Sequence, residues 1–305
     1  MSVADNRVIA VVGPTAAGKS DLAVALADRL DGEVVNADSM QLYAGMDIGT
    51  AKLPSDERRG VEHHLLDIWP IGKSAAVAEY QVLARLAIAA IQDRGRVPVL
   101  VGGSGLYLRG ALDNLDFPGE SPEIRARLYA ELQQLGPETL HARLAEQDPL
   151  AAAAILASNG RRIVRALEVI ELTGAPFTAR MPAFESIYDT VQIGLDRDDL
   201  DERVELRVHR MMALGFLGEI RALLPRGLRT SPTAGKALGY AQLLACLDDA
   251  GDVVGNVDEA VEQTIRGTRR FVRRQRSWFR RDPRVHWLDA ADPRLLDTAL
   301  STLKA

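Results

Sequence analysis

Short apolar runs alternate with longer amphipathic runs over the first 115 or so residues of the chain. Three runs rich in β-branched residues predict strands at 8–12, 33–36 and 97–101. Apolar residues at helical spacing predict helices at 19–30, 75–93 and 106–112. Strands and helices that alternate in this way form a parallel sheet with helices on both faces.

The pattern changes near Phe117-Pro118-Gly119. From 121 to about 173 the sequence is helical, with helix starts marked by Pro122 and Pro137, and it predicts no strand. Strand character returns at 190–195, and the remainder is predicted to be helical, at 200–212, 217–224, 240–247 and 257–281. We therefore expect an α/β core made of residues 1–117 and 188–305, ending in an arginine-rich helix. Residues 118–187 are expected to form an all-helical insertion domain.

A phosphate-binding loop, or P-loop, joins the first predicted strand to the first helix. It consists of Gly13, Pro14, Thr15, Ala16, Ala17, Gly18, Lys19 and Ser20. In such a loop the glycines let backbone N–H groups face anionic oxygens, the lysine adds a positive charge, and the serine hydroxyl can bind magnesium. The motif is typical of nucleotide-binding proteins, ATP-binding ones included. The alternative is an ordinary glycine turn between a strand and a helix.

The second strand is followed directly by Asp38-Ser39-Met40-Gln41. In an open parallel sheet ligands bind at the carboxyl ends of the strands, so we expect Asp38 on the same edge as Lys19 and Ser20. A carboxylate there could hold magnesium through water or accept a proton. The alternative is an aspartate that caps the following segment. Adjacent His63 and His64 would face opposite sides of an extended segment, and we expect no metal role for them.

Composition narrows the class of protein. The chain has 305 residues, 47% of them hydrophobic, with a mean hydropathy of −0.05. No apolar run reaches the roughly 18–20 residues of a membrane span, and no signal peptide is apparent, so we expect a cytoplasmic protein without membrane association. A single cysteine, Cys246, excludes an intrachain disulfide and a cysteine-rich zinc site.

Charge is distributed unevenly. The net charge is −5, yet nine arginines lie between 266 and 284, where Asp282 is the one acidic residue. An acidic chain that concentrates arginine in one element suggests a local site for a polyanion. The alternative is a solvated helix face whose arginines form salt bridges to other parts of the chain.

Several motifs in a fixed order resemble the tRNA dimethylallyltransferases, also called tRNA isopentenyltransferases. They span about residues 8–282: GPTAAGKS, NADSMQLYAGMDIGTAKL, HHLLDI, VLVGGSGLYLRGAL, RRIVRALEV, RVELRV, ALGY and TRRFVRRQRSWFR. The resemblance implies a P-loop NTPase-like parallel sheet flanked by helices, with an all-helical insertion domain. It also implies a prenyltransferase of tRNA processing. Such an enzyme moves a dimethylallyl group from dimethylallyl diphosphate to N6 of adenosine 37, next to the anticodon, with Mg²⁺ as cofactor.

The resemblance also assigns roles to residues. The P-loop would hold the departing diphosphate, with Ser20 on the metal and Arg207 as a further clamp. Asp38 would take the proton of the N6 amine, and Ser104, which follows Gly102-Gly103, would orient it. Contacts to the tRNA anticodon stem-loop are expected from Asp38, Ser39, Met40, Gln41, Ser104, Arg125, Arg161, Arg162, Ile163, Val164, Arg165, Arg273 and Arg274. We expect a monomer.

Three other functions stay open on the sequence. A small-molecule P-loop kinase would share the loop but would consume ATP. A prenyltransferase of free AMP, ADP or ATP would need no RNA. A non-catalytic RNA-binding protein would not depend on Asp38. The arginine-rich helix and the helical insertion favour an RNA substrate, because a small acceptor would require neither.

Overall fold

The computed structural model describes residues 7–177 and 184–304. The chain forms two compact units. The first contains the residues up to Asp113 and those from Ser186 onward, and the second is Asn114–Glu185. The chain leaves and re-enters the first unit at neighbouring points, since Asp113 and Ser186 form an antiparallel bridge and Ile187 N donates to Leu112 O at 2.8 Å.

The first unit is built on a six-stranded sheet in the order β3-β2-β4-β1-β5-β6. Every pair of neighbouring strands is parallel. The strands are β1 (Arg7–Val12), β2 (Gly32–Asn36), β3 (His63–His64), β4 (Val97–Gly102), β5 (Asp189–Asp196) and β6 (Val285–Asp289). Strand β1 is central, with Ile9 opposite Val99 of β4 and Val191 of β5. The parallel sheet flanked by helices confirms the fold class expected from the sequence.

Helices cover both faces of this sheet. They are α1 (Lys19–Leu30), α2 (Val77–Asp93), α3 (Gly105–Leu112), α8 (Leu200–Ala213), α9 (Phe216–Leu223), α10 (Tyr240–Leu244), α11 (Val257–Phe279) and α12 (Leu295–Thr302). Successive side chains of β1 point to opposite faces of the sheet. Val8 and Ala10 lie in one core with α2 and α3, and Ile9 and Val11 lie in another core with α1 and α8. Because both faces are buried, the strand is apolar at successive positions.

The sequence-based expectation that only helices follow residue 195 is wrong. Strand β6, Val285–Asp289, pairs with β5, and a last helix, α12, follows it. The segment Val285-His286-Trp287-Leu288-Asp289 is short and buries only Val285 fully, so it lacks the continuous apolar run that marked the inner strands. Strand β3 was missed for the same reason, since its two histidines are only half-buried.

Within its described residues, the second unit contains four helices and no strand. They are α4 (Pro122–Leu135), α5 (Pro137–Gln147), α6 (Pro149–Ala154) and α7 (Gly160–Thr173). Proline opens three of them, where its missing N–H costs nothing and its fixed φ suits the first turn. Leu128, Leu140, Leu144 and Leu167 form the centre of a separate small core.

Across residues 7–177 and 184–304, no helix is both long and apolar enough to span a bilayer.

Candidate active site

The P-loop begins where β1 ends. Gly13 adopts a φ of +130°, and a Cβ at this position would lie 2.4 Å from the carbonyl oxygen of Leu195. Only glycine therefore allows the loop to turn against β5. Helix α1 then begins at Lys19 after Gly18, and no side chain caps its first turn. The N–H groups of that turn remain available to an anion, and the helix dipole favours negative charge there.

Lys19 lies within this loop, and its Nζ donates to the carbonyl oxygen of Pro14 at 2.7 Å. Burial and the nearby charge of Arg207 lower the pKa of Lys19, Asp38 partly opposes both effects, and the net pKa is about 7. The ammonium is thus held in a place where its charge has little compensation from the protein. A bound anion would supply that compensation.

A cavity of about 600 Å³ opens beside the loop. We call it the Lys19 cavity, and its lining includes Gly18, Lys19, Ser20, Arg203, Arg207 and Arg210. Asp21, Asp47, Glu57 and Asp67 also line this cavity, but the basic side chains and the free N–H groups of α1 suit a multiply charged anion beside the loop.

The donors around Ser20 fit magnesium. The Ser20 hydroxyl forms no hydrogen bond with the described part of the chain and faces the Lys19 cavity. No group of three or more His, Cys, Asp or Glu side chains converges within residues 7–177 and 184–304. A cation here would therefore take most of its ligands from phosphate oxygens and water, which is how Mg²⁺ is commonly held.

Asp38 lies on the turn that follows β2. Asn36 fixes this turn, because its Nδ2 donates to Asp38 O at 3.0 Å and its Oδ1 accepts from Asp38 N at 2.9 Å. The Asp38 carboxylate accepts from Met40 N at 2.9 Å. Burial raises the pKa of Asp38, and the hydrogen bond from Met40 and the charge of Lys19 only partly offset this. A carboxylate with a raised pKa is a stronger base than an exposed one.

Ser104 follows β4, the strand next to β2 in the sheet. Its Oγ donates to Ser39 Oγ and accepts from Ser39 N, both at 3.3 Å. The two predicted groups, Asp38 and Ser104, therefore lie side by side because their strands are neighbours and both turns are at the carboxyl edge.

A second cavity, of about 320 Å³, contains both groups. We call it the Asp38 cavity. Its polar lining includes Asp38, Ser39, Ser104 and Arg207, and its apolar lining includes Val208, Met211, Phe216, Leu238 and Phe271. A carboxylate and a hydroxyl at one side of an apolar pocket suit a ligand that presents a polar edge and an apolar group.

Arg207 lines both cavities. Its Nη1 donates to Thr15 Oγ1 of the P-loop at 3.2 Å, and it pairs with no carboxylate in the described part of the chain. Burial lowers the pKa of Arg207, and the charge of Arg203 adds to this effect. An unpaired, half-buried guanidinium between an anion site and a carboxylate is placed to contact a ligand that extends through both cavities.

The arginine-rich helix α11 divides into two sets of side chains. Arg276 and Arg280 bind Asp196, Arg269 binds Glu205, and Arg284 beyond the helix binds Asp113 and Asp282. These arginines support the alternative of internal salt bridges. Arg270, Arg273, Arg274 and Arg281 form no ion pair with the described residues, which leaves them available to a polyanion. Arg274 also lines the Asp38 cavity, with its guanidinium carbon 5.6 Å from the Phe271 ring centroid.

Comparison with known proteins identifies the family of this chain. The IPP transferase family model matches residues 41–282. This chain belongs to the IPP transferase family. It is 66% identical over 287 residues to a tRNA dimethylallyltransferase of Streptomyces avermitilis, covering 93% of this chain and 91% of the relative. It is 62% identical over 304 residues to the Salinispora arenicola tRNA dimethylallyltransferase, covering 99% and 88% of the two chains. The resemblance seen in the sequence is thereby confirmed.

Solved structures of similar proteins share the fold. Full-length tRNA isopentenylpyrophosphate transferase from Bacillus halodurans matches with a TM-score of 0.70 and 39% identity, covering 98% of this chain and 97% of that one. A eukaryotic dimethylallyltransferase acting on tRNA matches with a TM-score of 0.81 and 26% identity, covering 98% of this chain and 77% of that one. The P-loop NTPase-like core expected from the sequence is the fold of this IPP transferase family member.

Within this family member, the structure brings most of the predicted core residues together. Asp38, Ser39, Met40, Ser104, Arg207 and Arg274 line the Asp38 cavity, and Ala16, Gly18, Lys19, Ser20 and Arg207 line the Lys19 cavity. Gln41 lines neither cavity, and its Nε2 donates to Thr50 O at 3.1 Å. Arg273 is exposed on α11. His64 contacts Glu33 at 2.6 Å, and His63 contacts Val61 O at 2.9 Å.

The helical unit of the IPP transferase corrects two sequence-based expectations. The side chains of Ile163 and Val164 are buried in the core of this unit, at 0% and 1% exposure, because they lie on the inner face of α7. They cannot contact tRNA through their side chains. Arg161 and Arg162 are exposed on the same helix, whereas Arg125 and Arg165 both bind the buried Glu168 at 3.0 Å.

Two polar residues near the cavities were missed by sequence reasoning. The Glu219 carboxylate accepts from the backbone N of Asp47, Ile48 and Gly49 at 2.9, 2.6 and 3.1 Å, and from Tyr240 Oη at 2.6 Å. It thereby fixes the loop that lines one side of the Asp38 cavity. The other residue is Gln275, a buried amide on α11. Neither stands in a pattern that signals a role, because both act through contacts to distant segments.

Proposed function

We propose that this chain is a tRNA dimethylallyltransferase: it transfers a dimethylallyl group from dimethylallyl diphosphate to N6 of adenosine 37 of tRNA and releases diphosphate. One observation carries the proposal. Arg207 lies on both the Lys19 cavity and the Asp38 cavity, so an anion site adjoins a site with a base and an apolar lining. The names of the relatives, tRNA dimethylallyltransferases at 66% identity, support the same reaction.

The Lys19 cavity would hold the diphosphate of the donor. As the allylic carbon–oxygen bond breaks, its electron pair stays on the diphosphate, and negative charge grows there. The N–H groups at the start of α1, Lys19 and Arg207 stabilise that charge. Ser20 would hold Mg²⁺, which when bound neutralises part of the same charge.

The Asp38 cavity would hold the acceptor amine and the dimethylallyl group. The N6 lone pair is delocalised into the purine ring, so the nitrogen must lose a proton as it attacks. The new nitrogen–carbon bond forms, the proton passes to the Asp38 carboxylate, and the Ser104 hydroxyl orients the amine. A raised pKa suits Asp38 to this task, because the base must accept a proton near neutral pH.

Unpaired arginines would bind the RNA backbone in each unit. On α11 these are Arg270, Arg273 and Arg274, and on α7 they include the exposed Arg161. Phosphate contacts of this kind position an RNA loop, and an unstacked loop base can enter a pocket at small cost. We further propose that the enzyme acts as a monomer in the cytoplasm, which gel filtration of the purified protein and fractionation of cells would test.

A prenyl-transfer assay tests the proposed function. It uses labelled dimethylallyl diphosphate, Mg²⁺ and unmodified tRNA with adenosine at position 37, beside the same tRNA with guanosine there. We expect label only in the adenosine tRNA. Label in AMP or ATP and not in tRNA would instead indicate a free-nucleotide prenyltransferase. Phosphorylation of a metabolite at the expense of ATP would indicate a kinase, and an unchanged cellular function in Asp38→Ala would indicate a non-catalytic RNA-binding protein.

A further inference from the structure

Gln275 is a buried amide that contacts both functional loops of the first unit. Only 4% of the residue is exposed. Its Oε1 accepts from Thr15 N of the P-loop at 2.9 Å, and its Nε2 donates to Gly103 O of the turn after β4 at 2.9 Å. One side chain therefore satisfies two backbone groups that belong to different strands and different cavities.

Each of the two contacted residues is directly linked to a residue of the proposed chemistry, one by a hydrogen bond and the other as its neighbour in the chain. Thr15 Oγ1 accepts from Arg207, the residue that lines both cavities. Gly103 directly precedes Ser104, whose Oγ contacts Ser39 beside Asp38. Gln275 thus connects the loop on the diphosphate side to the turn on the amine side.

This contact requires a glycine at position 103 and an amide side chain at position 275. A Cβ at position 103 would lie 2.2 Å from Gln275 Nε2, so the turn can approach the side chain only as glycine. Thr15 N can only donate and Gly103 O can only accept, which requires one acceptor and one donor in a single planar group. An ionised glutamate would offer acceptors only, and methionine would offer no donor and only a weak acceptor.

Helix α11 holds Gln275 firmly in place. Val272 and Phe279 are buried on either side of it along the helix. The neighbouring Arg276 binds Asp196, at the end of β5, at 2.7 Å. The amide is therefore attached to a fixed element and does not depend on a mobile loop.

We propose that Gln275 is a positioning residue that sets the P-loop and the Gly103–Ser104 turn at the spacing needed for group transfer. The inference rests on the proposed function. In such a reaction the reacting atoms must approach to roughly 3–3.5 Å, and a misplacement of about 1 Å can lower the rate by about 10²-fold. Loss of either hydrogen bond would allow one loop to shift relative to the other.

The first test compares Gln275→Met with Gln263→Met. Gln263 is an exposed glutamine on the same helix, so the control makes the same chemical change away from the cavities. We expect Gln275→Met to lower kcat by about 10–100-fold while the KM values for donor and tRNA change by less than about threefold. The control should retain wild-type kcat. A kcat for Gln275→Met equal to that of the control would overturn the proposal.

A double-mutant cycle with Ser104→Ala separates positioning from general packing. If Gln275 acts through the Ser104 turn, the double variant Gln275→Met with Ser104→Ala should be little slower than the slower single variant. Losses that multiply in full would mean that the two residues act independently, which contradicts the proposal.

A second variant keeps the inference testable if Gln275→Met fails to fold. Gln275→Glu has the same shape, and its carboxyl regains a donor when it is protonated. We expect the ratio of its kcat to that of the wild type to rise as the pH falls, with unfolding temperatures measured at each pH. A ratio independent of pH would contradict the hydrogen-bond role. Wild-type protein that transfers no prenyl group would refute the proposed function itself, whereas full activity in both Gln275 variants would refute only this inference.

Discussion

Lys19 should couple donor binding to proton uptake. Burial, the charge of Arg207 and the opposing charge of Asp38 leave its pKa at about 7 in the free protein. A bound diphosphate places negative charge beside the ammonium and moves the pKa back towards its ordinary value. From a free-protein pKa of about 7, binding should take up about 0.1 proton at pH 6, about 0.5 at pH 7 and about 0.9 at pH 8.

The same linkage fixes how the affinity depends on pH. Donor affinity should fall about fivefold from pH 7 to pH 8, and by about tenfold over the next unit, as Lys19 loses its proton in the free protein. Titration calorimetry of dimethylallyl diphosphate with Mg²⁺, in buffers of different ionisation enthalpy, measures both quantities. Lys19→Arg is the matched control, because arginine stays protonated throughout this pH range. Titration of the ligand itself is common to both proteins, so the difference in proton uptake between them belongs to Lys19.

Equal proton uptake by the wild type and Lys19→Arg would refute this reasoning. Stability offers an independent check of the sign. The lowered pKa means that the unfolded state binds more protons between about pH 7 and 10.5, so this group makes the free energy of unfolding rise with pH. The contribution of Lys19 to the slope should be about 1.4 kcal/mol per pH unit near the middle of that range, and this contribution should be absent in Lys19→Met.

Four further variants test other parts of the structure. Asp38→Asn should lower kcat by about 10²–10⁴-fold with tRNA affinity little changed. Steady-state kinetics of the wild type should show activity falling as the pH drops through the raised pKa of Asp38. The double variant Arg273→Ala with Arg274→Ala should weaken tRNA binding and reduce the salt dependence of that binding. Arg276→Ala breaks an internal ion pair with Asp196 and should instead lower the unfolding temperature. Glu219→Gln should lower the free energy of unfolding by about 1–3 kcal/mol in urea denaturation, since one of four donors to a carboxylate loses a good acceptor; unchanged stability would contradict that role.

The sequence predicts those parts of the structure that depend on neighbours along the chain. The P-loop and α1 follow from a local order of strand, glycine-rich loop and helix, and the predicted helix at 19–30 is observed as Lys19–Leu30. Asp38 and Ser104 could be placed on one edge because the carboxyl ends of parallel strands meet there. Their adjacency then required only that β2 and β4 be neighbours in the sheet.

Features that depend on distant partners could not be predicted. Arg276 and Arg273 look alike in the sequence, but only Arg276 finds a carboxylate, Asp196, 80 positions away. Gln275 stands among arginines, and its role becomes visible only when the loops at Thr15 and Gly103 are seen on either side of it. Burial of Ile163 likewise depends on which face of α7 packs inward, and a basic motif alone does not reveal that face.

The sheet order also determines when the core can close during synthesis on the ribosome. Strand β1 pairs with β4 on one side and with β5 on the other, and the 72 residues of Asn114–Glu185 separate those two partners along the chain. At about 5–20 residues per second, translation of that segment takes about 4–14 s. During this interval the edge of β1 that later meets β5 has no partner strand. A nascent chain paused there would leave the N–H and C=O groups of that edge unpaired, and Ile9 and Val11 would lack the side chains of β5 and α8 that complete their core, so we expect such a chain to depend on chaperones.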